Sequence, residues 1–576
     1  MTAPSPEQLA GALASFTITA NGTALGSDVQ VFSIDIWQGV NKLPKARLVI
    51  SDGSAADENF PLSAGTALIP GATLEIALGY DGHETNVFTG IIYAQGLDIT
   101  VDGATRLVVE ATDKAMVMTL ARRNAVYENI TDSDLASKLI SGAGLSADAA
   151  STSVTHPVIV QYYSTDWDIL LIRAQLNAMV VTVAAGKVTL AQPDTSTPPV
   201  LTLAFGDSIL DLRTNMDAAT QFTAAAIQSF AWDPTTQALS ASNQASTSVT
   251  TPGNLSSDQL AKVFGVSQYL QQSAGSLQAD ELTAWSSAEL MKARLAKIRG
   301  EVTFQGSALA ITGCMVALEG LGDRFNGNAY VSAVRHRLAG GLWRTSTEVG
   351  LSPNWFTATA PYIAAPGAAG QLPPVSNLQT GTVLKLDSDP EGEFRAQVSL
   401  PLLQSATGVW ARLGSFYASN AFGAEFYPEI GDEVIIAFMN GDPRFPVILG
   451  SLYSKKNPPP VAPAAANNQK TILTRGKLRI DFFEDKPSVM ISTPASQSVT
   501  LDDAAGSVTI KDKNGNSLTM DSSGIAIKSA ADIKLDATGS ITIAAQANLT
   551  ASAQAGAKLT SPAIVQVKGT MVELNP

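Results

Sequence analysis

The fold of this 576-residue chain is decided by the stretch Ile525-Ala-Ile-Lys-Ser-Ala-Ala-Asp-Ile-Lys-Leu-Asp-Ala-Thr-Gly-Ser-Ile-Thr-Ile543. Two apolar residues with one residue between them recur in it every eight residues, and this spacing continues to Val565. A fixed period is typical of repeat architectures. Each repeat can form a strand of only about three to five residues, which cannot bury its apolar face alone.

The repeat predicts a trimeric β-helix, in which three identical chains wind round one axis and the apolar pairs fill an axial core. A single-chain β-solenoid is the alternative, but it ordinarily needs longer coils to enclose a core. At ~4.8 Å per stacked strand, about ten repeats would build a needle roughly 50 Å long. The predicted core residues are Val499, Leu501, Val508, Ile510, Leu518, Met520, Ile525, Ile527, Ile533, Leu535, Ile541, Ile543, Leu549, Leu559, Val565 and Val567.

The final apolar pair, Val572 and Leu574, has no amphipathic helix or charged tail to cover it. Three copies would leave a blunt face with unpaired strand edges, which invites aggregation unless it is capped. We therefore expect Met571, Val572 and Leu574 to bind a separate tip protein. The alternative is that Asn575 and Pro576 are enough to protect the edge.

Upstream of the repeat, Thr380–Tyr453 contains five short predicted strands, the size of a small closed barrel such as an OB-fold. Asn440-Gly-Asp-Pro443 predicts a hairpin turn, because Asn-Gly tolerates positive φ and Pro443 fits where no ladder donor is needed. Stretches rich in Pro, Ala and Gly on either side predict linkers. The predicted regions are a hub over 1–370, a linker over 371–378, an OB-fold domain over 379–458, a second linker over 459–470 and the needle over 471–576.

The hub region alternates apolar and polar residues in short runs, which favours antiparallel β-structure. Capped, acidic helix starts precede apolar stripes at Thr131–Ile140 and Ser164–Leu176, and a third helix is predicted from about Gln278 to Lys297. The predicted fold class is therefore mainly β with a few docked helices: β-barrel hub domains, an OB-fold barrel and a C-terminal trimeric β-helix.

Three motifs carry a resemblance to a known family. They are the long run Pro428–Tyr453 with Asn457-Pro-Pro-Pro460 after it, the segment Gln161–Leu171, and Phe325–His336. Taken in their order along the chain, with the hub segments first, they resemble the VgrG spike family of type VI secretion and the hub-plus-needle proteins of contractile phage tails and related injection particles. The residues similar to the family's OB-fold signature are Gly431, Asp432, Gly441, Asp442, Pro443, Pro446 and Gly450.

The resemblance implies a structural spike, a homotrimer that joins an injection tube to a membrane-puncturing tip. The partners it implies are the tube protein, baseplate proteins, a PAAR-like tip protein and effector cargo. The first twenty residues lack a basic segment before an apolar run, so we expect synthesis in the bacterial cytoplasm without a signal peptide. The spike would be delivered outside the cell or into a target cell on firing.

Composition excludes other classes of function. The net charge of −14 disfavours nucleic acid, and the lone Cys314 with three scattered histidines disfavours metal chemistry. No stretch is apolar enough to predict stable membrane insertion. The low share of charged residues, 15%, indicates surface buried between subunits.

We expect no catalytic residue, no cofactor and no metal, and hence no enzyme. The carboxylates of Asp387, Asp389, Glu391 and Glu393 are interpreted as a solvated turn. The run Asp512–Asn516 lacks the final glutamate that an EF-hand calcium loop needs. The other function classes considered are a trimeric adhesin or tail fibre, which would not explain the hub motifs, and a cell-wall hydrolase, which no sequence feature supports.

Overall fold

The computed structural model describes residues 3–11, 13–101, 103–403 and 407–574, and the chain divides into two compact units, Met1–Pro373 and Pro374–Pro576. Within the described residues, no helix combines the length and the apolar character needed to cross a membrane.

The first unit is built on a 13-stranded sheet with the order β14-β18-β21-β20-β3-β4-β7-β6-β5-β1-β2 and with β13 and β19 branching from β20. The hub region was predicted to form β-barrels. In the structure most of its strands belong to this one sheet. The strands of the unit are β1 (Ala14–Ala20), β2 (Thr23–Ala24), β3 (Val31–Gly39), β4 (Lys45–Ser51), β5 (Thr73–Tyr80), β6 (His83–Ile99), β7 (Thr105–Thr112), β8 (Arg122–Thr131), β9 (Ser146–Ala149), β10 (Thr155–Thr165), β11 (Val180–Ala184), β12 (Lys187–Ala191), β13 (Leu201–Ala204), β14 (Ile209–Met216), β15 (Ile227–Asp233), β16 (Ala238–Ala241), β17 (Tyr269–Ser273), β18 (Ile298–Gln305), β19 (Met315–Glu319), β20 (Gly327–Ala339) and β21 (Leu342–Val349).

The helices of this unit dock at the positions that capping residues indicate. Thr131 caps α4 by accepting a hydrogen bond from the backbone N–H of Asp134 at 3.1 Å. Thr165 caps α5 in the same way, by accepting one from the backbone N–H of Asp168 at 3.1 Å. All three predicted helices are confirmed, with ends within two residues. The helices are α1 (Pro6–Leu9), α2 (Pro61–Ala64), α3 (Val117–Leu120), α4 (Asp132–Gly142), α5 (Asp166–Leu176), α6 (Ser257–Ala261), α7 (Ala279–Leu295) and α8 (Phe356–Thr359).

Two main cores hold the unit together. Alternate residues of the large sheet, such as Ile34, Leu48 and Leu107, are fully buried on one face, as period-2 patterning requires. A second core packs the apolar stripes of α4 and α5, including Leu139 and Leu170, against short strands. The helices therefore sit on β-structure, in agreement with the predicted fold class.

The burial of His336 in the large sheet makes the folding stability of the chain depend on pH. Its ring lies in β20, is 1% exposed and has its Nδ1 3.1 Å from the hydroxyl oxygen of Thr345. Loss of solvation lowers the pKa of His336 to about 4. The unfolded chain binds a proton near pH 6.5 that the folded chain does not bind, so folding stability falls as the pH drops below about 6.5.

We expect the melting temperature of the protein to fall between pH 7 and pH 5 and to fall less in the variant His336→Gln, which can still bond Thr345 but cannot titrate. The expected difference corresponds to about 2 kcal/mol over this range. Thermal melts at both pH values measure it. Because the comparison uses slopes against pH, a constant loss of stability in the variant does not affect it, and identical slopes would contradict the assignment.

The second unit begins with a closed five-stranded barrel in the order β22-β23-β24-β28-β27. Its interior is filled by Val383, Val398, Val434, Ile436 and Ile448, each at most 1% exposed. The predicted small closed barrel with five strands is thus confirmed. The strands here are β22 (Gln379–Lys385), β23 (Ala396–Ser399), β24 (Val409–Leu413), β25 (Ala418–Ser419), β26 (Phe422–Gly423), β27 (Glu433–Phe438) and β28 (Pro446–Ser451).

A seven-stranded antiparallel sheet follows, in which each strand pairs with the next along the chain. The strands stop at Lys528, and residues 529–574, all of which the structure describes, contain none. This differs from the expectation that every repeat forms a strand, because a strand this short with no ladder partner in its own chain leaves its backbone groups unpaired. The strands are β29 (Gln469–Leu473), β30 (Arg479–Phe483), β31 (Ser488–Ser492), β32 (Ser498–Asp502), β33 (Ser507–Lys511), β34 (Ser517–Asp521) and β35 (Gly524–Lys528).

Candidate functional site

The seven-stranded sheet gathers the predicted core residues from Val499 to Ile527 on one face. Val499 lies directly opposite Ile510, and Leu501 lies opposite Val508. Side chains alternate along a strand, so the members of each apolar pair share a face and the residue between them lies on the other face. The register continues this face through β34 to β35. We call it the needle face.

A single chain leaves the needle face largely uncovered. Leu501 is 47% exposed, Ile525 is 71% exposed and Ile527 is 64% exposed. Soluble monomers rarely expose continuous apolar patches larger than a few hundred Å². The face therefore has the character of a surface that another chain covers.

The structure does not gather the predicted core residues beyond Lys528 in this way. They lie outside any strand and are more than half exposed. These residues are Ile533, Leu535, Ile541, Ile543, Leu549, Leu559, Val565 and Val567.

The residues predicted to bind a tip protein are equally open. Met571 is 74% exposed, Val572 is 51% exposed and Leu574 is 88% exposed. Asn575 and Pro576, which the alternative interpretation invoked, lie outside the described residues.

The OB-fold signature residues shape turns of the barrel. Gly431 has φ of 92° and donates its N–H to the carbonyl of Val383 at 2.8 Å. The Asp432 carboxylate accepts the backbone N–H of Glu429 at 2.9 Å. Gly450 lies opposite Ile435, where the β27–β28 register shifts. These bonds fix how the chain enters β27.

The rest of the signature forms the β27–β28 connection. Gly441 has φ of 70°, which favours glycine, and Asp442 binds the Arg444 side chain at 2.6 Å. The guanidinium of Arg444 holds the pKa of Asp442 below its usual range. Pro443 follows in the connection, and Pro446 opens β28 opposite Phe438. The predicted turn is confirmed, and its residues serve the fold of the barrel.

The candidate carboxylates before β23 are organised around one aspartate. Asp389 accepts a hydrogen bond from the Arg395 side chain at 2.6 Å and from the backbone N–H groups of Glu391 and Glu393 at 3.2 and 2.9 Å. The bond from Arg395 is the main cause that lowers the pKa of Asp389 far below its usual range. A carboxylate held ionised in this way is a poor proton donor at neutral pH, so the geometry favours a structural turn.

The oxygen-rich run between β33 and β34 is also a closed turn. Asp512 accepts the backbone N–H groups of Asn514 and Asn516 at 3.0 and 2.8 Å, and Gly515 has φ of 92°. Across the part of the chain that the structure describes, no group of three or more His, Cys, Asp or Glu residues could hold a metal ion.

The first residue of the hub motif Gln161–Leu171 has a buried side-chain amide whose hydrogen bonds account for a structural role of the motif. The Tyr127 hydroxyl donates to Gln161 Oε1 at 2.8 Å, and Gln161 Nε2 donates to Asp166 at 3.0 Å. Asp166 in turn pairs with Arg123. Gln161 is fully buried, so the motif fastens the β8–β10 ribbon to the first turn of α5.

Sequence reasoning missed a buried ionic cluster that joins α4, β10, α5 and α7. Asp132 binds Arg173 at 2.5 Å and Asn177 at 2.7 Å, and His156 lies 3.1 Å from Asp132 and 3.6 Å from Glu281. Burial alone would raise the pKa of Asp132, but the bonds from Arg173 and Asn177 lower it on balance. The sequence signal for this cluster was Arg173, a charged residue within an apolar helix. Its partners are far apart in the sequence and come together only in the folded chain.

Comparison with known families assigns three regions of the chain. Residues 10–340 match the family described as the Alg8 N-terminal domain. Residues 379–453 match the type VI secretion system/phage-baseplate injector OB domain. Residues 488–575, which include β31–β35, match the phage baseplate V C-terminal trimerisation domain.

The curated relatives match over short stretches. The type VI secretion system spike protein VgrG3 of Vibrio cholerae is 37% identical over 65 residues, which is 11% of this chain and 6% of that protein. The actin cross-linking toxin VgrG1 of the same species is 33% identical over 96 residues, 15% of this chain and 9% of that protein. The chain thus spans less than a tenth of the length of either relative.

Two solved structures are also similar. One is a tail protein from Neisseria meningitidis, with 15% identity and a TM-score of 0.43 over 59% of this chain and 98% of that one. The other is a component of the type VI secretion system of E. coli, with 13% identity and a TM-score of 0.35 over 76% and 99% of the two chains.

Proposed function

We propose that this chain, which belongs to the family of the Alg8 N-terminal domain, is a VgrG-like protein and the structural spike of a contractile injection machine. Three copies would form a homotrimer that joins the inner tube to the membrane-puncturing tip. The observation that carries the proposal is the uncovered needle face within the region that matches a trimerisation domain.

Trimerisation would cover this face and complete the backbone ladders. Burying an Ile, Leu or Val side chain stabilises a fold by about 1.5–3 kcal/mol, so sixteen predicted core residues per chain would supply a large driving force. In residues 529–574, which have no strand of their own, strands from two other chains would provide the missing hydrogen-bond partners. A needle of this kind suits a mechanical role, since the chains cannot separate without exposing the whole axial core.

We assign the tube and baseplate contacts to the hub region, over 1–370, and propose 371–378 and 459–470 as linkers. The spike would assemble from the bacterial cytoplasm into the particle and leave the cell on firing, with effector cargo as a further partner. The adhesin alternative accounts for a β-helix but not for the buried Gln161 network or the injector OB domain.

We further propose that the chain itself performs no chemistry. The carboxylates at Asp387–Glu393 and Asp512 serve turns, and families of structural spikes are generally non-enzymatic. The match to the actin cross-linking toxin covers only 15% of this chain.

A PAAR-like tip protein is the proposed partner of Met571, Val572 and Leu574. In the double variant Val572→Asp with Leu574→Asp, two carboxylates per chain would be buried at the contact, each costing several kcal/mol when unpaired. We therefore expect particles purified from cells to retain this chain and the tube protein but to lose the tip protein by tenfold or more. Quantitative mass spectrometry of the particles measures all three.

Glu573→Gln, which lies between the two variant positions, is the matched control and should keep the tip protein. A tip protein that stays on the double variant would overturn the tip assignment alone. If the unaltered chain is absent from particles that contain tube protein, the spike proposal itself fails.

A further inference from the structure

The segment that follows the large sheet is fastened to the first unit by side chains and not by strand pairing. β21 ends at Val349, and residues 352–364 then form α8 and a short 3-10 helix (Pro361–Ile363). Neither belongs to a sheet of the described residues. We call residues 352–364 the strap. Since the second unit begins at Pro374, every pull that the second unit exerts along the chain reaches β21 through the strap.

Two buried charged side chains of α7 hold the start of the strap. The ammonium of Lys292 donates to the carbonyl oxygen of Asn354 at 2.8 Å and lies over the ring of Trp355, 5.3 Å from its centroid. The indole N–H of Trp355 donates to the carboxylate of Glu289 at 2.6 Å. Lys292 is 3% exposed and Glu289 is 5% exposed, so the strap supplies partners for charges that water scarcely reaches.

A buried amide of α5 binds the next residue of the strap. Gln175 Oε1 accepts the backbone N–H of Phe356 at 2.8 Å, and Gln175 is 8% exposed. The ring of Phe356 packs against the core of α4 and α5, and the ring of Trp355 packs against a separate core that includes Met291. One donor, two acceptors and two apolar contacts must all be matched, so the strap fits the first unit in a single register.

The end of the strap is held by one arginine. The guanidinium of Arg122, at the start of β8, donates to the carbonyl oxygens of Tyr362, of Ile363 at 3.3 Å and of Ala364 at 3.4 Å. Arg122 is only partly buried, and Tyr362 is 68% exposed. Hydrogen bonds that water can replace contribute little net stability, so this end of the strap is the weaker one.

A pull along the chain acts differently on the strap and on β21. β21 lies between β18 and β20 and forms ladders with both, so a pull on its end loads many backbone hydrogen bonds at the same time. The bonds of the strap follow one another along the chain, from Arg122 back to Lys292, so each carries the whole pull in turn. The strap therefore opens at a lower force than β21, as a local unit of low stability.

We propose that the strap is a releasable tether, which peels off the first unit under tension and docks again in the same register when the tension ends. Thirteen residues span at most roughly 45 Å when extended, which is the largest gain in length that release provides. After release, water solvates Lys292, Glu289 and Gln175 until the strap returns. The proposal rests on the proposed function only for the source of the pull, the movement of an injection machine.

Optical tweezers test the proposal on the full-length protein, with one chain per molecule carrying DNA handles. The handles are attached at Leu342→Cys and Leu372→Cys in a Cys314→Ser background, because both leucines are exposed and lie on opposite sides of the strap in the sequence. We expect a first lengthening of at most roughly 45 Å, well below the force that unfolds the unit. It should reverse when the force is relaxed.

The double variant Arg122→Ala with Trp355→Phe should show this first lengthening at half the force or less. It removes the donor at the end of the strap and the indole N–H at its start, but keeps an aromatic ring in the core. The force that unfolds the rest of the unit should stay unchanged, which separates a loosened strap from a damaged fold. The control Arg213→Ala removes an exposed arginine of β14 and should leave both forces unchanged.

A single unfolding event without a first lengthening would overturn the proposal, as would a first lengthening at the same force in the double variant. A strap that opens but does not dock again on relaxation would refute a reversible tether. The spike proposal fails on a different result, the absence of this chain from particles, and that result leaves the force measurements unchanged.

Discussion

Removal of residues 471–576 is expected to convert a heat-resistant trimer into a chain that melts at a much lower temperature and does not trimerise. The deletion takes away all sixteen predicted core residues, and with them the apolar area that only a trimer can bury. The first unit keeps its own cores, so it should still fold. Sedimentation equilibrium gives the mass, and calorimetry gives the melting transitions.

A second deletion, of residues 529–576, sharpens this test. It keeps β29–β35, whose strands pair within the chain, and removes only the repeats that have no ladder of their own. We expect it to weaken trimerisation less than the longer deletion does, because the needle face remains and still offers an apolar surface for the other chains to cover. If either shortened chain is as heat-resistant and as fully trimeric as the complete one, the needle is not the source of trimer stability.

Local features of the fold were predictable because their causes are local. Thr131 and Thr165 predict the starts of α4 and α5, because their hydroxyl groups accept hydrogen bonds from the backbone N–H groups three residues later in the chain. The alternation in Glu433–Phe438 places Val434 and Ile436 inside the barrel, and Asn440-Gly441 supplies the positive φ of the following turn. Each of these signals lies within a few residues of the structure it specifies.

Long-range pairing could not be predicted in the same way. β20 pairs with β3 so that Arg335 lies opposite Trp37, nearly 300 residues away in the chain. The cross-strand contact of Glu301 with Glu348 likewise depends on which strands become neighbours. No periodicity encodes such neighbours, so the buried cluster around Asp132 could not be predicted from the sequence.

The needle region contains both a feature that the sequence pattern predicted and one that it did not. Alternation correctly placed Val499 and Leu501 on one face. The prediction did not place the end of intrachain pairing at Lys528, although the spacing of the pairs changes there. First members are nine or ten residues apart between Val489 and Leu518, which leaves room for a turn back along the same sheet, whereas the eight-residue spacing begins at Ile525.

Ile533→Asp and Lys534→Asp are adjacent substitutions with opposite expected outcomes. In the trimer that we propose, Ile533 points inward, so its replacement would set three carboxylates at one level of the axis. Unpaired buried charge costs several kcal/mol per ion, and we expect the trimer to melt at a much lower temperature or fail to assemble. Lys534 is 82% exposed in a surface ion pair with Asp536 at 3.1 Å.

An exposed pair of this kind contributes about 0–1 kcal/mol, so Lys534→Asp should leave the trimer nearly unchanged. The two variants carry the same new side chain one position apart, and thus differ mainly in the direction it points. Urea unfolding and sedimentation at matched protein concentration compare them. Equal damage from both would show that Ile533 does not face the axis, and equal tolerance would show that this level of the needle has no buried core.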